Sequence, residues 1–140
     1  AAPIGSILAG SRDFIEKARK NRKILGGGWR QAGVIAASGI VAINNMIERL
    51  SIDHDHAKLL ARSLDEIEDI QVDFDRLDIN MVYFSFARPV DDGFFVSYLH
   101  DHGIKINGAR KGEYRLMTHI DIAQDDIALL ISRITEFLTQ

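Results

Sequence analysis

The chain has 140 residues, enough for one ordinary domain with a real hydrophobic core. Its formal net charge of −3 gives no global argument for a nucleic-acid or membrane partner. The absence of cysteine excludes disulfides, thiolate chemistry and Cys-based zinc sites, and it is compatible with the cytoplasm, the compartment expected here.

The short apolar start lacks a charged n-region and does not read as a signal peptide. Ile4 to Ala9 reads as a short buried strand that leaves through Gly10-Ser11. Ser11 or Asp13 then caps a helix running to Leu25. That helix is strongly basic, with Arg12, Lys17, Arg19, Lys20, Arg22 and Lys23. Three glycines follow, Gly26 to Gly28, and then Ala32 to Ile43 is apolar almost all round. This predicts a buried helix, since a membrane span needs about 18 apolar residues or more. Its small residues, among them Gly33, Ala36, Ala37 and Gly39, allow close packing against another element.

A helix from about Asp53 to Ile67 sets Ala57, Leu60, Leu64 and Ile67 on one stripe. An acidic stretch runs from Asp65 to Asp78, and from there to Phe86 the period changes. Met81 to Phe84 with Phe86 is a near-continuous apolar run, which predicts a strand buried on both faces. Pro89 ends it, Asp91 or Asp92 caps a helix carrying Phe95, Tyr98 and Leu99, and Gly103 closes that helix. Ile104 to Ile106 reads as a short strand and Asn107-Gly108 as a turn. In a strand from Tyr114 to Ile120, Arg115, Met117 and His119 point one way, and Leu116, Thr118 and Ile120 the other. Asp121 with Gln124 resembles a capping box opening a last helix that packs Ile127, Leu130, Ile131, Ile134 and Leu138. This order predicts a compact α+β domain joined to the glycine run by two long helices.

Few residues stand out chemically. Free amides near a helix N-terminus, with Arg30 beside them, suit an anion; a glycine C-cap and hinge with a solvated basic face is the plainer reading. Neither standard nucleotide motif is present. Arg115, flanked by apolar residues in a strand, is costly to bury without an anionic partner. Its planar fork suits a carboxylate, either a ligand's or that of a nearby Asp or Glu. His119 shares its face, as an orienting group or a satisfied core histidine. The pairs His54/His56 and His100/His102 lie on predicted helices, where their side chains diverge, so no metal site is expected. The basic helix lacks interleaved aromatics, and no nucleic-acid role is expected.

Four blocks carry a specific resemblance. Ala2-Pro3-Ile4-Gly5-Ser6-Ile7-Leu8-Ala9-Gly10-Ser11 and Arg22-Lys23-Ile24-Leu25-Gly26-Gly27-Gly28-Trp29-Arg30-Gln31-Ala32-Gly33 come first. Asn80-Met81-Val82-Tyr83-Phe84 and Arg115-Leu116-Met117-Thr118-His119-Ile120-Asp121 follow in the same order, over nearly the whole chain. Together they resemble the L-threonine aldolase family of pyridoxal 5'-phosphate (PLP) enzymes, in the aspartate aminotransferase superfamily of fold type I. The resemblance implies an α/β (α+β) architecture. Residues 1–50 would be the end of the large cofactor-binding domain and its connecting helix. Residues 51–140 would be a small C-terminal domain, a short and mainly antiparallel sheet packed by helices.

The family's Schiff-base lysine lies in a Ser-Lys-Gly-Leu-like stretch directly upstream of the first block. The chain therefore looks like a C-terminal portion beginning just beyond it, at Ala1, and inactive without the N-terminal portion. By the same resemblance Arg115 holds the α-carboxylate of the amino-acid substrate, with His119 in the same site. Arg30 and Lys23 serve the phosphate end of the cofactor, partly across the interface of a homo-oligomer. Trp29 departs from the methionine or other apolar residue expected at its place. An intact relative would cleave threonine or allo-threonine to glycine and an aldehyde. Another β-eliminating lyase of the superfamily, or a non-catalytic assembly module, are the alternatives.

Overall fold

A computed structural model describes every residue except Ala1, Pro3, Gly5 and Gln140. The helices are α1 (Arg12–Ile24), α2 (Gly33–Asn45), α3 (Leu50–Asp65), α4 (Asp92–Asp101) and α5 (Gln124–Leu138). The strands are β1 (Ile70–Val72), β2 (Met81–Phe86) and β3 (Tyr114–Met117). These elements form two compact units, Ala1–Arg49 and Leu50–Gln140.

The first unit is two helices and a glycine turn. Ser11 Oγ accepts from the Phe14 amide at the start of α1, and Arg22 and Lys23 sit in its last turn, where cations suit the negative helix end. The helix stops in a Schellman motif. Gly26 takes φ +82°, its amide donates to the Lys23 carbonyl (3.2 Å), and the Gly27 amide donates to the Arg22 carbonyl (2.8 Å). A Cβ on Gly27 would lie 2.8 Å from Arg22 Cγ and 3.1 Å from the Arg22 carbonyl oxygen. Two of the three glycines are thus accounted for by the helix stop alone.

Two expectations for this unit fail for one reason. Ile4 to Ala9 forms no strand among its described residues (Gly5 lies outside them), and Ile7 is 91% exposed. Helix α2 forms as expected but buries no residue, with Val34 74% and Ile43 62% exposed. A strand needs a neighbour to pair with, and an all-round apolar helix needs one to cover it. Neither neighbour is present among the described residues of this unit.

The second unit has its own core. The sheet runs β1-β2-β3, antiparallel throughout, with Phe84 opposite both Val72 and Tyr114, and Tyr83 opposite Arg115. Alternation sends Ile70, Val82, Phe84, Tyr114 and Leu116 inward. They meet Ala57, Leu60, Ala61 and Leu64 of α3, Phe95 and Leu99 of α4, and Ile127, Leu130 and Ile134 of α5. The rings of Phe84, Phe86, Phe95, Tyr114 and Phe137 make stacked and edge-on contacts 5.0–5.8 Å apart. Helices cover one face of this sheet, so β2 is not buried on both: Met81, Tyr83 and Ser85 are only partly covered.

The segments between elements also differ from the sequence reading. The three-residue β1 lies in the acidic stretch, where too few apolar residues mark it. Ile104 to Ile106 is not a strand, because the Ile104 amide donates to the Leu99 carbonyl and completes the Schellman closure of α4 at Gly103 (φ +80°). Asn107-Gly108 is not the tight turn. That turn is Arg110 to Glu113, closed by two backbone hydrogen bonds, with Lys111 at φ +58° and Gly112 at +83°. The cap of α5 is two residues later than Asp121/Gln124 suggested: Asp126 Oδ2 accepts from the Ala123 amide at 2.8 Å.

Candidate functional site

The third and fourth blocks, Asn80 to Phe84 and Arg115 to Asp121, meet in space. Beyond the paired residues of β2 and β3, the Thr118 amide donates to the Asn80 carbonyl (3.0 Å), and Asn80 Nδ2 donates to the Thr118 carbonyl (2.6 Å). The Thr118 hydroxyl, fully buried, donates to the Asp53 carbonyl of α3 at 2.6 Å. These bonds lock the end of β3 against both the sheet and the helix. With Tyr114, Leu116 and Thr118 turned inward, Arg115, Met117 and His119 must turn outward.

Arg115 is therefore exposed, not buried as its apolar neighbours suggested; the alternating face, rather than the flanking residues, sets its surroundings. No ion pair or hydrogen bond engages its guanidinium among the described residues. It lines an open cleft of about 590 Å³ with His119, Lys105, Asp121 and Thr118, over a floor that includes Leu116 and Ile127. His119 shares this cleft but makes its contacts locally. Its Nδ1 accepts from the Asp121 amide at 3.3 Å and lies 3.5 Å from Asp121 Oδ2, so it is neither a core histidine nor in hydrogen-bond contact with Arg115.

Glu113, two residues before Arg115 in the chain, is engaged by another cation. Arg76 binds both Asp73 (2.6 Å) and Glu113, and its guanidinium carbon lies 4.0 Å from the centre of the Tyr83 ring. The Arg76 hydrogen bond holds the Asp73 carboxyl below the usual carboxylate range. Tyr83 is the cross-strand partner of Arg115, so a covered aromatic ring, not a carboxylate, stands beside it.

In the first unit, Lys23 and Arg30 are exposed on either side of the glycine turn. Neither has an ion-pair partner among the described residues. Of the three glycine amides, Gly26 and Gly27 are used in closing α1, so an anion here would rely on the two cations and the amides from Gly28 onward. A lysine and an arginine on a free turn are donors of the kind a phosphate takes. The histidine pairs do not converge: His102 Nδ1 faces the Tyr98 carbonyl at 2.8 Å, and among the described residues no group of three metal-ligand side chains comes together. No helix among the described residues is long and apolar enough to cross a membrane.

The sequence profile of beta-eliminating lyases matches residues 1–87. The chain belongs to the beta-eliminating lyase family. Among its curated relatives, low-specificity L-threonine aldolase 1 of Arabidopsis thaliana is 34% identical over 94% of the chain. The low specificity L-threonine aldolase of Escherichia coli K12 is 35% identical over 99% of it. The chain spans 37% and 40% of those two proteins' lengths. Solved structures share the fold. A NifS-like protein from Rickettsia africae superposes with a TM-score of 0.66 at 12% identity, covering 76% of this chain and 33% of that one. The cystine C–S lyase C-DES, in complex with its product cysteine persulfide, gives 0.62 at 18% identity, covering 75% and 28%. A mutant of C-DES carries glycine covalently linked to its PLP cofactor.

Two residues of this region had escaped the sequence reading. Arg110 and Lys111 stand on a second cleft beside Arg115. Their signal was the Lys111-Gly112 pair immediately before a strand, which is turn chemistry, but Asn107-Gly108 drew the assignment instead.

Proposed function

We propose that the chain is the C-terminal part of a PLP-dependent lyase of the threonine aldolase type, acting on β-hydroxy-α-amino acids such as threonine or allo-threonine and releasing glycine and an aldehyde. The observation that carries this reading is Arg115: an arginine that its strand sets on an open cleft, with no carboxylate engaged among the described residues. Its fork would hold the α-carboxylate through two parallel hydrogen bonds, fixing the rotation about the Cα bonds so that the breaking bond is correctly aligned. His119, on the same cleft and paired with Asp121, would present a ring nitrogen toward the same ligand. Arg30 and Lys23 would take the cofactor's phosphate. When bound, PLP would supply the electron sink for the cleaved Cα–Cβ bond. Residues 1–50 would then be the end of the large cofactor-binding domain and 51–140 the small domain of a cytoplasmic homo-oligomer. Exposed apolar α2 supports that arrangement, since a surface of this kind is covered in a larger assembly.

The test separates the two ends of the site in the intact parent enzyme. Arg115→Ala should lower kcat/KM by two to three powers of ten, about 2–4 kcal/mol, while cofactor absorbance persists. Lysine should rescue only partly, having charge without the fork. Arg30→Ala should weaken cofactor retention more than substrate selection. Near-normal kcat/KM with lost cofactor in Arg115→Ala would overturn these roles.

A further inference from the structure

Arg115 separates two clefts. On its other side lies an open cavity of about 670 Å³ walled by Tyr83, Arg110, Lys111, Glu113 and the loop at Asn107 and Gly108. Three cations border it against one carboxylate, and that carboxylate is already bound by Arg76 from outside. The charge left facing the cavity is therefore positive.

The wall is fastened from both sides. Asp92 Oδ1, in the first turn of α4, accepts from the Ala109 amide at 2.8 Å, and a Cβ on Gly108 would lie 2.6 Å from Asp92 Oδ2, so the loop packs flush on that carboxylate. Asp92 itself is not among the residues that wall the cavity. On the far side the turn Arg110 to Glu113 is closed by its own backbone bonds, and Arg76 pins Glu113. Lys111 is held at φ +58°, a conformation glycine or asparagine would take more easily, and one that puts a cation at the rim. The backbone that carries Arg110 and Lys111 is thus fixed before an anion arrives, which lowers the ordering cost of binding.

We propose that this cavity is an anion subsite that selects substrates bearing a second acidic group, a phosphate monoester or a second carboxylate, beside the α-carboxylate at Arg115. The inference rests on the carboxylate role of Arg115 for its substrate assignment. Arg110 offers a second planar fork and Lys111 a compact point charge, a pair suited to a dianion. Tyr83, half-covered by Arg76, supplies an apolar wall for the carbon chain between the two acidic groups.

Side-chain nitrogen and carbon NMR on the 140-residue chain tests it, with sodium acetate, succinate and O-phospho-L-serine titrated at constant ionic strength. Succinate or O-phospho-L-serine should move Arg110, Lys111 and Arg115 together and bind about tenfold more tightly than acetate. The stronger of the two identifies the second group as carboxylate or phosphate. In Arg110→Gln/Lys111→Gly, whose glycine suits the turn, that preference should vanish while acetate still moves Arg115. Equal affinity for acetate and the dianions, or no loss in the double variant, would overturn the subsite and leave the Arg115 role standing. Dianion binding at Arg110 and Lys111 with Arg115 unmoved by acetate would instead overturn the substrate assignment.

Discussion

The two units use similar helices and end in opposite states. Helices α1 and α3 are both amphipathic and comparable in length, yet α1 buries nothing and α3 buries Ala57, Leu60, Ala61 and Leu64. Capping alone does not bury a helix face. Ser11 caps α1 as Asp91 caps α4, and the same Schellman closure ends both of those helices. What α3 has is a sheet face to cover, and most of a helix's stability in a folded protein comes from such packing. Leu50–Gln140 carries its own core, while the helices of Ala1–Arg49 leave their apolar residues unburied.

The largest expected effect tests that contrast by truncation. Phe95 is fully buried and contacts Phe86, Tyr114 and Phe137, so Phe95→Ala should cost about 3–5 kcal/mol. Ile40→Ala, in an equally regular helix but 60% exposed, should stay within about 0.5 kcal/mol. Denaturant unfolding checks both, and the chain provides separate reporters: its one tryptophan, Trp29, is in the first unit, and all three tyrosines are in the second. A substantial loss for Ile40→Ala would mean that α2 has a covering partner in solution.

A smaller effect sharpens the position of the site. Thr118→Val keeps shape but removes the hydroxyl bonded to the Asp53 carbonyl, and should lower the tyrosine-reported stability by about 1 kcal/mol. The tryptophan signal should not follow.

The least effect at neutral pH, but a distinctive one, is acid sensitivity. Arg76 holds the Asp73 carboxyl low and Arg133 holds the Glu136 carboxyl low, each chiefly through a side-chain hydrogen bond. A carboxyl depressed in the folded state adds stability that is present above its unfolded value and lost as pH falls through the folded one. Both pairs belong to the second unit, so its tyrosine signal should show an acid limb below about pH 4 that Asp73→Asn/Glu136→Gln flattens. An unchanged limb would place the acid sensitivity elsewhere.

Much of this was legible in the sequence because local periodicity and caps are local physics. The helices fall within a few residues of their predicted bounds, β2 lies in its apolar run, and β3 starts at Tyr114 as expected but ends at Met117 instead of Ile120. What was not legible depends on partners distant in sequence. Ile4 to Ala9 has strand composition but no strand beside it, and β1 has a strand beside it but little strand composition. Ile104 reads as a strand residue because its side chain is apolar, yet its amide is taken by α4. The site divides the same way. The face shared by Arg115 and His119 followed from alternation alone, whereas the exposure of Arg115 depended on helices covering just the other face. The withdrawal of Glu113 depended on Arg76, 37 residues away in sequence.

Hydrogen exchange along the intact chain tests the central contrast most directly. The account predicts slow, cooperative exchange in α3, β2, β3 and α5, and exchange faster by orders of magnitude in α1 and α2, whose helical bonds no packing protects. Equal protection of α2 and α3 in a dilute, monomeric sample would contradict it.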